Sequence, residues 1–378
     1  MPSYPDRVYL DLAARLAIRA AGDVEPNPLV GAVIVKDGRV IGMGHHRRYG
    51  GPHAEREALE DCRRRGEDPR GSTVYVTLEP CRHHGKTPPC TDALIEAGVG
   101  EVVFARPDPG ADSGGGGEVC RRAGMRVRLS EESALATRIS DPFVKRVRRG
   151  LPWVIAKWAQ TVDGRVATRT GESQWISNEW SRKRVHRLRA RVDGVITGLG
   201  TATVDDPMLN ARGVRRVRRP AARILIDTDL EVPLDSKLVR TAAEIPTFVA
   251  CSVGMAASEY TAARRAKLEA AGVRILSTPA EGMYQTRLDL EHLLRRLAGE
   301  FRMTNLLVEA GPGLLGNLFE RGLVDEAVVY VAPMLIGDEL AKSAATGRIV
   351  STLSAGKAME LVRVKRLHSD VELTYRSI

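Results

Sequence analysis

His53, Cys81 and Cys90 constrain this chain more than any other feature, because its fold must carry three separated residues to one point. One histidine and two cysteines supply three protein ligands to zinc and leave a fourth position for water. They lie in two short phrases, Pro52-His53-Ala54-Glu55 and Glu79-Pro80-Cys81-Arg82-His83-His84-Gly85-Lys86-Thr87-Pro88-Pro89-Cys90. Glu55 follows His53 by two positions, placed to carry protons without being a ligand.

A zinc ion in such a site lowers the pKa of water until a nucleophile exists near neutral pH. A carboxylate beside it can take a proton and return it to a leaving group. A His-x-Glu element with a Pro-Cys element is the parts list of hydrolytic deamination of a base-like ring. The usual second element is Pro-Cys-x-x-Cys, whereas here eight residues separate Cys81 from Cys90. Five cysteines cannot pair completely, and Cys62, Cys120 and Cys251 read as buried small hydrophobes. The chain has no apolar run long enough for a membrane span and no charged-then-apolar leader, so a cytoplasmic protein is expected.

The net charge of +10 is concentrated in Arg63 to Arg65, Lys145 to Arg149 and Arg215 to Arg219. Such blocks read as solvated faces. Aromatic residues make up 4% of the chain, too few to stack bases along a nucleic-acid groove. A small phosphorylated substrate accounts for the basic balance equally well. No nucleic-acid or membrane partner is therefore expected, and a homo-oligomer is compatible with the sequence.

At 378 residues the chain suggests two domains. Asp6 to Ala21 has helical apolar spacing, and the runs Val30 to Val35 and Arg39 to Gly44 flank Asp37-Gly38 as a hairpin. A helix from His53, a strand over Thr73 to Leu78, a helix over Thr91 to Ala97 and strands at Glu101 to Ala105 and Arg126 to Leu129 complete an α/β sandwich. Gly114 to Gly117 reads as a loop, and Glu131 to Arg149 as one connecting helix. The break at Gly150-Leu151-Pro152 divides the chain into residues 1–149 and 150–378. The second part begins with a strand at Trp153, has a helix over Asn178 to Val192, and leads a buried strand at Leu306 to Glu309 into Gly311-Pro312-Gly313-Leu314-Leu315-Gly316. That run spells GxGxxG, but no acidic residue lies about twenty positions on, since Asp325 and Glu326 come too early. A glycine loop entering a helix still suits a diphosphate.

Taken together, NPLVGAVIVKDG at 27–38, PHAE at 52–55, VTLEPCRHHGKTPPC at 76–90, GESQWIS at 171–177 and VEAGPGLLG at 308–316 resemble the bifunctional riboflavin-biosynthesis deaminase/reductases. The resemblance runs from Asn27 to about Gly337. It implies a cytidine-deaminase-like domain followed by a dihydrofolate-reductase-like domain, with Zn2+ and NADPH as cofactors. His53, Cys81 and Cys90 would hold zinc and Glu55 would shuttle protons while a diaminopyrimidinone ribosyl phosphate loses ammonia. Asn27, His46, His83, Lys86 and Asp108 match positions that hold that substrate. The family usually reads Asp-Pro-Asn-Pro where this chain has Asp108-Pro109-Gly110-Ala111.

In the second domain, Lys157, Ser173, Arg189, Leu209, Arg212 and Glu309 match positions contacting the sugar-phosphate substrate. Ala159, Trp175, Ser177, Thr201, Asp205 and Gly311, Pro312, Gly313, Leu314, Leu315, Gly316 and Asn317 match positions contacting NADPH. The implied second reaction reduces the ribosyl group to a ribityl chain. Two other readings compete: a deaminase whose second half is structural, and an RNA-modifying deaminase. The intact GESQWIS and VEAGPGLLG phrases oppose the first, and the long inter-cysteine insert opposes the second.

Overall fold

The computed structural model describes residues 5–85, 88–215, 217, 219–281 and 287–378. It divides into two compact units, Met1–Leu151 and Pro152–Ile378.

The first unit runs α1 (Asp6–Ala17), β1 (Gly31–Lys36), β2 (Arg39–His45), α2 (Ala54–Arg64), β3 (Thr73–Val76), α3 (Cys90–Glu96), β4 (Glu101–Phe104), α4 (Gly116–Arg122), β5 (Arg126–Leu129), α5 (Ala134–Arg138) and α6 (Asp141–Arg149). Its sheet has the order β2-β1-β3-β4-β5, with β1 antiparallel to β2 and β3 and the last three strands parallel. Asp37 and Gly38 both take positive φ in the β1–β2 turn, as expected of Asp-Gly in a two-residue hairpin. Strand alternation divides the core. Ala32 and Ile34 pack with Ala54, Ala58 and Leu94, while Val33 and Val35 pack with Leu10, Ala13 and Ala136.

Two glycines set how closely α2 sits on β2. A Cβ on Gly42 would lie 2.4 Å from the Cys62 sulfur, and one on Gly44 would lie 2.4 Å from the Ala58 nitrogen. Only strand backbone fits beneath that helix. The segment expected as one helix over Glu131 to Arg149 is instead two, interrupted before Asp141-Pro142. Ser133 caps α5 and Pro142 opens α6, which gives each helix its own start. The run Gly114 to Gly117 is also not wholly loop, since Gly116 and Gly117 begin α4.

The second unit contains β6 (Trp153–Thr161), β7 (Arg165–Ala167), α7 (Glu179–Arg189), β8 (Gly194–Gly198), α8 (Leu199–Asp205), β9 (Ala222–Ile226), α9 (Lys237–Arg240), β10 (Thr247–Ser252), α10 (Val253–Ala257) and α11 (Glu259–Ala270). It continues through β11 (Val273–Thr278), β12 (Ala280–Glu281), β13 (Arg287–Leu288), α12 (Leu290–Gly299), β14 (Asn305–Val308), α13 (Pro312–Glu320), β15 (Glu326–Ala332), β16 (Lys342–Ser343), β17 (Met359–Leu367) and β18 (Asp370–Ser377). Nine strands form one sheet in the order β11-β10-β9-β8-β14-β6-β15-β18-β17. The seven strands from β11 to β15 are parallel, and the closing hairpin is antiparallel. β8 and β14 lie side by side, yet one leads toward β9 and the other crosses over to β15. The chain therefore changes direction at their carboxyl ends, where open α/β sheets hold ligands.

Candidate metal centre and enclosed charge cluster

In the first unit, the geometry begins with two helix starts. His53 is the N-cap of α2, with extended backbone, and its side chain makes no capping bond. Cys90 is the first residue of α3, and Cys81 stands in the loop after β3. The His53 Nδ1 lies 3.4 Å from the Cys81 sulfur and 3.3 Å from the Cys90 sulfur. All three donor atoms fall within 4.8 Å of one another. Tetrahedral zinc with bonds of roughly 2.0–2.3 Å separates its ligands by about 3.5 Å, so the set fits that ion.

The hydrogen bond from Cys90 and the neighbouring His53 pull the Cys81 thiol down to about 4, against the effect of burial. Its partner Cys90 is pushed the other way, by Cys81 first and by burial. Two sulfurs this close both ionise only when a cation joins them. Glu55 points from the first turn of α2 and is 3% exposed. Burial raises its carboxyl above the usual range, and it shares a hydrogen bond with the Cys90 side chain.

Asn27 and His46 stand together beside His53. The Asn27 amide lies 3.2 Å from His46 Nε2, and His46 Nδ1 lies 2.9 Å from the Pro52 carbonyl. An Nδ1–H tautomer satisfies both contacts, and burial favours the neutral ring. The His46 ring meets His53 edge-on at 5.3 Å. His83 has an enclosed Nδ1 with no hydrogen-bond partner, a polar atom left over beside the cysteine loop. Lys86 lies outside the described residues. Asp108 accepts from the Gly110 N–H at 2.9 Å, and the Ser113 hydroxyl bonds the same carboxylate. A Cβ on Gly110 would lie 2.2 Å from the Ser113 oxygen, so serine occupies the space beside that glycine.

Three residues here were not singled out from sequence. The Glu79 carboxylate accepts from the Gly117 N–H at 2.8 Å and the Asp108 N–H at 3.1 Å, and so caps α4 and holds the loop before it. A Cβ on Gly116 would fall 1.8 Å from the Pro80 carbonyl oxygen, directly before Cys81. Arg56 donates to the Pro89 carbonyl at 3.0 Å, directly before Cys90. Gly116 and Arg56 thus meet backbone directly before a sulfur donor, and Glu79 itself stands two residues before Cys81. Sequence proximity marks only two of them, Glu79 before Pro80-Cys81 and Arg56 after Glu55.

In the second unit a buried charge cluster stands at the end of β14. Glu309 takes Lys157 Nζ at 2.9 Å and two Arg189 nitrogens at 2.6 and 3.0 Å. Burial alone would raise its pKa, but Lys157 and Arg189 together hold it well below the carboxylate range. Arg189 also donates to the Asn210 carbonyl at 3.2 Å. Leu209, buried and at φ +48°, bends the chain so that Asn210 faces α7. The Arg212 side chain is exposed and makes no hydrogen bond or ion pair among the described residues. Ser173 lies in the loop before α7.

Of the expected cofactor residues, Thr201 and Gly311 stand at the switch between β8 and β14. A Cβ on Gly311 would lie 3.7 Å from the Thr201 hydroxyl, which places the starts of α8 and α13 side by side. Among the described residues no side chain caps α13, and nothing lies within 4 Å of a Cβ built on Gly313. A helix start opening onto such space suits a diphosphate, so this half fits a dinucleotide such as NADPH. Asp205 accepts from Gln174, next to exposed Trp175, and Arg182 stacks over the Trp175 ring at 4.6 Å. The same arginine donates to the Ser177 carbonyl. Ala159 is half-buried on β6.

Pro312 and Leu314 line the first turn of α13, whereas Leu315 and Gly316 are buried within it. A Cβ on Gly316 would lie 1.8 Å from the Thr346 carbonyl oxygen, so packing against that segment accounts for this glycine. Asn317 accepts from Arg321 one turn on. Cys62, Cys120 and Cys251 are buried, with thiols pushed up to about 11, 12 and 11 by burial. Among the described residues, no helix is long and apolar enough to cross a membrane.

Each unit matches a known protein family. The description "Cytidine and deoxycytidylate deaminase zinc-binding region" matches residues 4–106, and "RibD C-terminal domain" matches residues 152–373. The chain is 40% identical to the riboflavin biosynthesis protein RibD of Aquifex aeolicus, over 89% of each chain. It is 38% identical to that of Escherichia coli, over 88% of this chain and 89% of the relative. Among solved structures, RibD of Acinetobacter baumannii covers 99% of both chains at 33% identity and a TM-score of 0.82. A diaminohydroxyphosphoribosylaminopyrimidine deaminase/5-amino-6-(5-phosphoribosylamino)uracil reductase from Thermotoga maritima does the same at 31% identity and 0.82. With a zinc-deaminase region, a RibD reductase domain and end-to-end likeness to these proteins, the chain belongs to the RibD family of riboflavin-biosynthesis proteins.

Proposed function

We propose that this enzyme removes ammonia from 2,5-diamino-6-(5-phosphoribosylamino)pyrimidin-4(3H)-one in its first unit. It then reduces the ribosyl side chain in its second unit, giving 5-amino-6-(5-phosphoribitylamino)uracil. The observation that carries the reading is the convergence of His53, Cys81 and Cys90 beside the buried Glu55. Zinc held there supplies an activated water near neutral pH. Glu55 accepts the water proton, passes it to the ring nitrogen and helps protonate departing ammonia. The coupled Asn27–His46 pair and the unpartnered His83 nitrogen offer hydrogen bonds to the pyrimidine, with Asp108 held ready by Ser113.

In the second unit NADPH supplies the hydride, while the protein supplies orientation. Lys157, fixed by Glu309, donates to the opened sugar as C1′ is reduced. Arg212 and the outer edge of Arg189 receive the phosphate, to which arginine presents a matched fork of donors. The substrate is a small phosphorylated pyrimidine, and a cytoplasmic setting keeps the two cysteines reduced for metal. The test is Cys81→Ser. Zinc and ammonia release should both be lost, while NADPH is still oxidised with the deaminated substrate. Full zinc by elemental analysis in that variant would remove Cys81 from the metal set.

A further inference from the structure

His186 stands against the segment 210–212, beside residues expected to hold the reductase substrate, although no motif drew attention to it. It projects from α7 one turn before Arg189. Its Nδ1 stands 3.1 Å from the Arg212 backbone nitrogen and 3.2 Å from the Asn210 carbonyl oxygen. One ring nitrogen cannot serve both neighbours, because the first offers a proton and the second requires one. The Asn210 carbonyl already accepts from Arg189 at 3.2 Å, whereas no other acceptor meets the Arg212 N–H among the described residues. The resting ring therefore accepts from Arg212 and carries its proton on Nε2. Burial first, and then the charges of Arg189 and Arg212, lower its affinity for a second proton, while the Asn210 carbonyl and Glu309 act in the opposite sense.

We propose that His186 is a substrate-positioning residue that binds the phosphate together with Arg189 and Arg212 and takes up a proton as it does so. The inference rests on the reading that the substrate phosphate lies in this pocket. The charges favour it. Lys157 and Arg189 share one carboxylate, Glu309, and the nearby Arg212 has no counter-ion among the described residues, so the cluster keeps a positive excess that a phosphate dianion can neutralise. A proton gained at Nδ1 moves its hydrogen bond from the Arg212 N–H to the Asn210 carbonyl. That exchange releases the Arg212 N–H toward the anion, and the charged ring offers Nε2–H as a further donor.

His186→Asn keeps an acceptor near the Nδ1 position but cannot carry the proton. With the full chain and saturating NADPH, its KM for 5-amino-6-(5-phosphoribosylamino)uracil should rise roughly tenfold at pH 7, with kcat little changed. The KM for the dephosphorylated analogue should stay as it is. In the wild type, KM should climb as pH passes the pKa of the bound ring. In the variant only the phosphate's own second ionisation, near pH 6, should remain. An independent arm needs no variant. Ribose 5-phosphate binding to wild-type protein, followed by calorimetry in two buffers of different ionisation enthalpy, should show proton uptake. No uptake, or equal KM rises for both substrates in His186→Asn, would overturn the proposal. Arg212→Ala separates the two levels. If it too spares the phosphorylated substrate, the phosphate reading fails; if it raises that KM while His186→Asn does not, only the role of His186 fails.

Discussion

Glu55 and Glu309 are both buried carboxylates, and their surroundings push them in opposite directions. Glu55 is held above the ordinary range by burial beside the cysteine sulfurs, which suits a group that must keep and pass a proton. Glu309, equally enclosed, is kept ionised by Lys157 and Arg189, which suits a group that fixes cations. Two substitutions should separate these roles. Glu55→Gln should retain zinc by elemental analysis while ammonia release falls roughly 10²-fold or more; near-normal turnover would remove Glu55 from the proton path. Glu309→Gln leaves two largely enclosed cations without their counter-ion, so stability at pH 7 should fall by about 3 kcal/mol in denaturant unfolding. The sign with pH follows from the depressed carboxyl. The stabilisation is complete above its unfolded value near 4.5 and persists well into acid. The gap between wild type and variant should therefore close only below the usual carboxylate range. The cluster of His53, Cys81 and Cys90 with Glu55 was legible because the chemistry proposed for it needs a fixed set of residue types. His186 was not, since a lone histidine on a helix gains meaning only from neighbours in distant segments.

Helices and loops explain how sulfur and imidazole reach one point. α2 is drawn onto β2 by Gly42 and Gly44, which fixes where its first turn presents His53 and Glu55. Gly116 lets the start of α4 rest against the Pro80 carbonyl, and Glu79 ties that helix to the loop at Asp108. Gly116→Ala would force a Cβ into backbone and displace Cys81. Its zinc should be lost to a chelator faster than from wild type, with reductase activity unchanged, and wild-type retention would show that the loop can yield. Periodicity revealed most strands and long helices, including the hairpin at Asp37-Gly38. It did not reveal α4, because a glycine run carries no apolar period and is held as helix by a carboxylate thirty-eight residues away. The divided helix at Asp141-Pro142 was likewise masked by continuous helical composition on both sides.

At the scale of the whole molecule, each unit has its own sheet and its own core. A fragment ending at Leu151 should fold and release ammonia, and a fragment beginning at Pro152 should oxidise NADPH with the deaminated substrate. Insolubility of both, judged by circular dichroism and yield, would mean that neither half is stable alone. The basic character of the chain is partly neutralised locally, as where Arg63 pairs with Glu60 and Arg64 and Arg65 pair with Asp61. The measurement that bears most directly on the account uses intact protein with the diaminopyrimidinone ribosyl phosphate and NADPH. Ammonia release and NADPH oxidation are followed together to completion. The two-reaction account predicts one ammonia released for each NADPH consumed, with ammonia appearing first. Ammonia without NADPH oxidation, or NADPH oxidation before any ammonia is released, would contradict it.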